Sequence, residues 1–174
     1  MFRQLDYQDR VLDTIDSYLD ALKDKKARSD KIAALAADDH DLGLVIPDFA
    51  KEAWETLKAA GRLPSSRAAI PFSERRDGCG RPVPNIVLKV PTGGGKTWLA
   101  VSAVSHIMGR YLSRNTGFVL WVVPNEAIYT QTLKHLKDRQ HPYRQALDRA
   151  AAGRVRIMEK TDRLDAKDLE ANLC

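Results

Sequence analysis

The sequence predicts an α/β protein in which a mainly helical amino-terminal region, residues 1–85, precedes an incomplete parallel sheet in residues 86–174. Two observations favour this class. Residues 118–123 form an unbroken apolar run, which is typical of a strand buried on both faces of a parallel sheet. Short apolar segments also alternate with amphipathic ones after residue 85, as in strand–helix–strand units with right-handed crossovers. We therefore expect two domains with a boundary after residue 85.

Three helices are expected in the amino-terminal region. Apolar residues recur at helical spacing over 7–22, and an alanine-rich stretch over 31–37 is expected to form a second, shorter helix. The third helix is predicted over 47–60. It has Pro47 at its start and Gly61 just past its end, which is the usual asymmetry of helix termini.

Two segments of this region are expected to lack regular structure. The acidic patch at residues 38–41 is interpreted as a solvated turn that ends the second helix, because no metal-ligand spacing accompanies it. Residues 61–85 carry repeated prolines and glycines, which interrupt helix and strand patterns alike. They are expected to form a long loop or a hairpin rim.

After residue 85 the elements are predicted in alternation, from the periodicity of the apolar residues. The strands are expected at 85–90, 118–123 and 154–158, and the helices at 97–110, 126–139, 142–152 and 165–173.

The composition narrows the class of protein. A net charge of +5 suits a polyanionic partner, although the basic residues are scattered rather than clustered. Cys79 and Cys174 have neither metal-ligand spacing nor the pattern of a disulfide framework. The sequence has no leader and no apolar run near the roughly 20 residues of a membrane helix, so the cytoplasm and no membrane partner are expected.

A glycine-rich motif follows the first predicted strand and reads Thr92-Gly93-Gly94-Gly95-Lys96-Thr97. Small residues let backbone N–H groups curl around phosphate oxygens, and the following helix presents its unsatisfied N–H groups to an anion. Lys96 can reach the outer phosphates and Thr97 can place its hydroxyl on Mg²⁺. The motif therefore predicts a phosphate-binding P-loop, with Val90 standing where the general pattern has glycine.

The motif resembles the loop of superfamily-two helicases and translocases. With the preceding Leu88-Lys89-Val90-Pro91 it looks like the version found in type III restriction enzyme Res subunits and related DEAD-like helicases. This resemblance implies a P-loop NTPase motor domain with a RecA-like parallel sheet in residues 86–174. It also implies ATP and Mg²⁺ as cofactors and duplex DNA as a partner.

Two further segments carry the same resemblance. Leu5-Asp6-Tyr7-Gln8 resembles the signature that opens the family, which implies that Gln8 reads the adenine edge and that residues 23–85 are an insertion. Residues 121–126, followed by Gln131, resemble the segment that contacts the DNA backbone. The DNA-binding candidates are therefore Pro124, Asn125 and Gln131. Some relatives have threonine and arginine where this sequence has Asn125 and Glu126.

No apolar segment after the loop ends in the acidic Asp-Glu motif that completes Mg²⁺ coordination and polarises water in this class. Glu159 follows an apolar segment but precedes a lysine, and Asp162, Asp165 and Asp168 fit a solvated face. The resemblance places the acidic motif, a second motor domain and any nuclease domain beyond residue 174. The chain is therefore expected to be an amino-terminal fragment with no catalytic residue of its own.

The sequence favours one of three candidate functions. The favoured one is the amino-terminal part of an ATP-dependent DNA helicase or translocase. It would be the restriction subunit of a type III restriction–modification system, with a modification methyltransferase as a possible partner. A small kinase is disfavoured because no lid and no substrate-binding arginines follow the loop. A non-catalytic module that binds DNA or a partner remains the alternative, and it fits the isolated chain.

Overall fold

The fold is described from a computed structural model that covers residues 5–38 and 43–174. The chain divides into two compact units. One consists of Met1–Leu12 and Val90–Cys174, and the other of Asp13–Lys89. The division into domains at residue 85 stays a prediction.

The predicted parallel sheet is wrong: within the described residues the structure contains helices and isolated bridges but no strand. Residues 85–90 and 118–123, predicted as strands, have no regular secondary structure, and the strand predicted at 154–158 is reduced to an isolated bridge at Val155. In the part of the chain that the structure describes, the parallel bridges are those of Gly117 and Val155, both with Leu173. The physical reason is that a strand is stable only beside a hydrogen-bonding partner, and an apolar sequence cannot supply one by itself.

The described residues instead form seven α-helices and one π-helix. In chain order they are α1 (Asp6–Asp38), α2 (Phe49–Ala59), α3 (Ser65–Ala68), α4 (Lys96–His106), the π-helix (Ile107–Leu112), α5 (Glu126–Lys137), α6 (Pro142–Ala150) and α7 (Ala166–Ala171).

The amino-terminal helices differ from expectation in one respect. The segments predicted as two helices, 7–22 and 31–37, belong to the single helix α1, which ends at Asp38. Three residues of the acidic patch, 39–41, lie outside the described residues. The helix predicted over 47–60 is confirmed as α2.

The unit of residues 13–89 is held by side-chain hydrogen bonds as well as apolar packing. Asp48 caps α2 by accepting hydrogen bonds from Ala50 N and Lys51 N. The Ser29 hydroxyl on α1 donates to the Pro47 carbonyl at 2.9 Å. In the segment predicted as a loop or hairpin rim, the antiparallel bridge between Arg76 and Pro82 closes a tight turn.

The other unit has its core between α4, α5 and α6. Its buried apolar residues are Val101, Met108, Leu136, Ala146, Leu147, Ala151 and Leu173. The helix predicted over 97–110 is confirmed as α4 in its first part and continues as the π-helix, a form that occurs mostly as single turns. Within the described residues, no helix combines the length and the apolar character needed to cross a membrane.

One buried cation ties this core together. The Arg144 side chain on α6 is buried, and its Nε donates to Asp148 Oδ1 at 2.9 Å. Its two terminal nitrogens donate to the carbonyls of Leu136, at 3.2 Å, and Val155, at 2.9 Å. Arginine suits this place because its planar fork serves several acceptors at once. One side chain therefore joins α6 to the end of α5 and to the segment that follows α6.

Two histidines stack beside that core. The rings of His135 and His141 lie 4.1 Å apart between centroids, and Tyr143 packs edge-on against both. His141 caps α6, since its Nδ1 accepts a hydrogen bond from Tyr143 N at 3.2 Å. Burial, and secondly the charge of His135, lower the pKa of His141 below its ordinary value of 6.5. The folded protein therefore favours the neutral imidazole.

We expect the melting temperature to fall as pH drops below about 6.5. His141 has the lower pKa in the folded state, so the unfolded chain binds its proton first and the stability is fully present only above the unfolded pKa. Replacing His141 with Asn keeps a capping acceptor and removes the titration. Thermal melts of H141N should therefore depend less on pH in this range. An equal pH dependence in both proteins would contradict the prediction.

Candidate functional site

The glycine-rich motif forms a tight turn that runs into α4. Gly94 N donates to the Pro91 carbonyl at 3.1 Å, and Gly93 between them has a φ of 77°. Gly95, with a φ of 73°, is the residue that caps α4. These left-handed backbone angles favour glycine, because a side chain would crowd the backbone there. The structure thus gives both positions a conformational reason for their glycine.

The turn leaves backbone donors free at the start of α4. Among the described residues, the N–H groups of Gly95, Lys96 and Thr97 donate to no backbone carbonyl. Such orphan donors, together with the partial positive charge of the helix start, favour an anion. These backbone donors are thus available to an anion such as phosphate.

Lys96 lies over this turn. Its ammonium donates to the Pro91 carbonyl at 3.0 Å, and the side chain is exposed to solvent. Thr97 is partly buried one residue further into α4. Lys96 and Thr97 are therefore the first two residues of α4, and the Lys96 ammonium donates a hydrogen bond to a carbonyl of the loop.

The beginning of α1 latches onto the loop. The carbonyl of Gly94 accepts hydrogen bonds from the Tyr7 hydroxyl and from Gln8 Nε2, the latter at 3.2 Å. Gln8 Oε1 also accepts from Leu5 N at 3.0 Å, and Gln8 Nε2 lies 3.3 Å from the Tyr7 hydroxyl. Gln8 is only 3% exposed. We call these contacts of Tyr7 and Gln8 with Gly94 the latch.

The latch gives a second reason for glycine at positions 94 and 95, which the sequence alone did not reveal. A Cβ on Gly94 would lie 2.8 Å from Val90 Cγ1, 2.9 Å from the Tyr7 hydroxyl and 3.0 Å from the Pro91 carbonyl. A Cβ on Gly95 would lie 2.6 Å from Gln8 Nε2. Sequence reasoning assigned these glycines to the phosphates alone. In the structure they also make room for side chains that lie some 86 residues earlier in the chain.

The candidates for DNA contact lie on or just before α5. Asn125 caps this helix, with its side-chain oxygen accepting from Ile128 N at 3.0 Å. Pro124 and Gln131 are exposed. Gln131 shares the exposed face of α5 with Lys134, three residues on. Their role in binding DNA stays a prediction, as does the role of Gln8 towards adenine.

Several acidic side chains after residue 158 have structural partners, among them Asp165 and Asp168, which were interpreted as part of a solvated face. Glu159 accepts from the Tyr129 hydroxyl at 2.8 Å and pairs with Lys137, and these hydrogen bonds, that of Lys137 first, hold its pKa below the ordinary value. Asp165 and Asp168 form a capping box at the start of α7. The capping spacing of three residues was readable in the sequence, whereas the partners of Glu159 were not.

The residues near the loop fit a magnesium nucleotide better than a protein-held metal. Within the described part of the chain, no group of three or more His, Cys, Asp or Glu side chains could hold a metal ion. The Thr97 hydroxyl is the ligand that the motif offers. This suits Mg²⁺, which keeps several waters and binds phosphate oxygens rather than an all-protein cage.

Comparison with known protein families agrees with the geometry of this loop. The family model of the type III restriction enzyme, res subunit, matches residues 45–169, which is more than half of the chain. The chain therefore belongs to this family, and the suspected membership is confirmed. The family is helicase-like, generally uses ATP and Mg²⁺, and acts on DNA. Among curated proteins and among solved structures, no significant match was found.

We expect Gly94→Ala to destabilise the protein by on the order of 1–3 kcal/mol, because the new methyl group overlaps the latch and the turn. Gly109→Ala is the matched control, since nothing lies within 4 Å of its Cβ position. Thermal or denaturant unfolding measures both.

Removing the Tyr7 hydroxyl should relieve part of the strain. The double variant Y7F/G94A should therefore lose less stability than the sum of the two single variants. Strict additivity, or equal stability of G94A and G109A, would show that the latch does not confine Gly94.

Proposed function

We propose that the chain binds Mg-ATP through the P-loop and duplex DNA through the amino-terminal part of α5. It would do so as the amino-terminal portion of an ATP-dependent DNA translocase, the restriction subunit of a type III restriction–modification system. The observation that carries this proposal is the loop at the start of α4, with its free N–H groups and its lysine, in a chain of the res subunit family.

Phosphate binding follows from an exchange of partners. The β- and γ-phosphates take the N–H groups of Gly95, Lys96 and Thr97, and the Lys96 ammonium leaves the Pro91 carbonyl for a phosphate oxygen. Because Lys96 is exposed, its move costs little desolvation, and the new partner is an anion rather than a neutral carbonyl. The Thr97 hydroxyl then takes a place in the coordination shell of the Mg²⁺ that arrives with the nucleotide.

In this proposal Gln8 lies beside the nucleotide. Its amide nitrogen is engaged by Gly94 and Tyr7, while its oxygen accepts from Leu5 N and retains acceptor capacity. In our proposal this oxygen accepts from the exocyclic amine of adenine. The same side chain would then contact the base and the loop that holds the phosphates.

DNA binding is assigned to the face of α5 that carries Gln131. A glutamine amide and a lysine on one exposed face can donate to phosphate oxygens, and the helix start at Asn125 offers backbone donors. Such contacts position a duplex without reading its sequence. A modification methyltransferase partner belongs to the same proposal.

Hydrolysis is not assigned to this chain. The loop supplies donors and a cation, but no described carboxylate has been placed where it would polarise an attacking water. We therefore propose binding without turnover for the chain alone.

Lys96→Ala should weaken Mg-ATP binding at least about tenfold, since a charge-assisted hydrogen bond to the phosphates is lost. Lys167→Ala is the control, because Lys167 is an exposed lysine of the same unit outside the loop. Calorimetric titration of the purified chain measures binding, and phosphate release measures turnover. Equal affinity of both variants would refute the loop assignment, and turnover by the wild-type chain would refute the absence of a catalytic carboxylate.

Gln131→Glu should weaken duplex binding about three- to tenfold, because a carboxylate faces the phosphates. Gln145→Glu makes the same change on an exposed residue of α6 and should have little effect. Fluorescence anisotropy with a labelled duplex, repeated at several salt concentrations, checks both. If the two variants bind equally, the DNA lies elsewhere.

A further inference from the structure

The side-chain amide of Gln8 is held in one orientation by two backbone groups. Gln8 is only 3% exposed, so hydrogen bonds to the protein rather than to water decide how the amide lies. Its Nε2 lies 3.2 Å from the Gly94 carbonyl, which can only accept, and its Oε1 lies 3.0 Å from Leu5 N, which can only donate. Reversing the amide would place two acceptors against each other at Gly94 and two donors against each other at Leu5.

The Tyr7 hydroxyl takes the second hydrogen of the amide nitrogen. This hydroxyl donates its own hydrogen to the Gly94 carbonyl, so towards Gln8 it can act only as an acceptor. Gln8 Nε2 donates to it at 3.3 Å. A primary amide nitrogen carries two hydrogens, and here one is directed to Gly94 and the other to Tyr7. Counted over the described residues, both N–H groups of Gln8 are therefore occupied.

The amide oxygen is the group that Gln8 can still offer to a ligand. It has two acceptor sites, and Leu5 N occupies one of them. A base would thus meet a single acceptor, which requires a donor on the base. Adenine has such a donor in its exocyclic amine at C6, whereas guanine and hypoxanthine carry an oxygen at this position. The neighbouring ring nitrogen N7 is an acceptor in all three bases and would find no donor on Gln8.

We propose that Tyr7 is a positioning residue for nucleotide selection. By occupying the second N–H group of Gln8, it restricts the contact with the base to the exocyclic amine and leaves N7 unread. An amide without this constraint would offer a donor beside its acceptor, so it could also bind a 6-oxo purine. This inference rests on the proposed Mg-ATP site. It adds to that proposal the residue that sets the preference for a 6-amino purine.

A purely structural role of Tyr7 predicts a different result. Tyr7 would then support the loop alone, and its loss would weaken every nucleoside triphosphate by the same factor, because all of them carry the same phosphates. A positioning role changes the ratio of the affinities for different bases instead. The ratio is therefore the quantity to measure.

The first test needs no variant. Calorimetric titration of the purified chain compares the Mg²⁺ complexes of ATP, 7-deaza-ATP and inosine triphosphate. ATP and 7-deaza-ATP, which lacks N7, should bind within about threefold of each other, because no N–H group of Gln8 is left for that position. Inosine triphosphate should bind at least about fivefold more weakly, since it loses the amine and sets an oxygen against the amide oxygen. A larger loss for 7-deaza-ATP, or a smaller one for inosine triphosphate, would overturn the proposal.

Tyr7→Phe tests the hydroxyl itself. It frees one N–H group of Gln8, so the preference for ATP over inosine triphosphate should fall at least about threefold. Tyr129→Phe is the matched control, because it removes another tyrosine hydroxyl of the same unit, one that donates to Glu159 at 2.8 Å. This control should keep the wild-type preference. A smaller fall in Y7F, or an equal fall in Y129F, would overturn the role of Tyr7.

Gln8→Leu separates this inference from the nucleotide site on which it rests. Leucine can neither donate to the base nor accept from it, so Q8L should bind ATP and inosine triphosphate equally, through their phosphates. If the wild-type chain binds no Mg-ATP, the proposed nucleotide site is refuted and the inference with it. If the wild-type chain binds Mg-ATP and Q8L keeps the wild-type preference, the site stands and the base is read elsewhere, which overturns the inference alone.

Discussion

The carbonyl of Gly94 is the point on which the nucleotide loop depends. It accepts from both Tyr7 and Gln8, so the loop is braced by the first turn of α1 rather than by its own backbone alone. An acceptor with two lone pairs can serve both donors at once. The close approach also fixes glycine at positions 94 and 95, where a Cβ would overlap these side chains. The proposed phosphate binding and the packing of the first turn of α1 therefore both require glycine at these positions.

Hydrogen bonds from one buried side chain also connect the elements in the rest of the unit that contains the loop. Arg144 joins α5, α6 and the segment at Val155, and it satisfies two carbonyls that no ladder pairs. Within the described residues these elements are not joined by strand pairing, so the hydrogen bonds of Arg144 connect them. The unit consequently has a helical core with non-helical segments packed against its edge.

The sequence predicted the helices well and the sheet poorly, for a physical reason. Helices such as α2 and α6 are set by local signals, a capping residue and apolar spacing, and these can be read directly. Residues 118–123 have the composition of a strand, but pairing depends on distant residues that a local pattern cannot supply. Similarly, the glycines of the loop were recognisable from a local motif. The latch and the contacts of Glu159 join residues far apart in the chain, so no local pattern could predict them.

The contact between Lys96 and the Pro91 carbonyl has a consequence for selectivity among anions. The resting loop does not present a bare ammonium, since that group already has a neutral acceptor. A small ion such as inorganic phosphate must displace this acceptor and can offer few oxygens in return. In the nucleotide complex proposed here, a triphosphate would reach the lysine and the backbone donors together, so one exchange of partners would gain several hydrogen bonds. The contact between Lys96 and Pro91 would then favour polyphosphates over isolated anions.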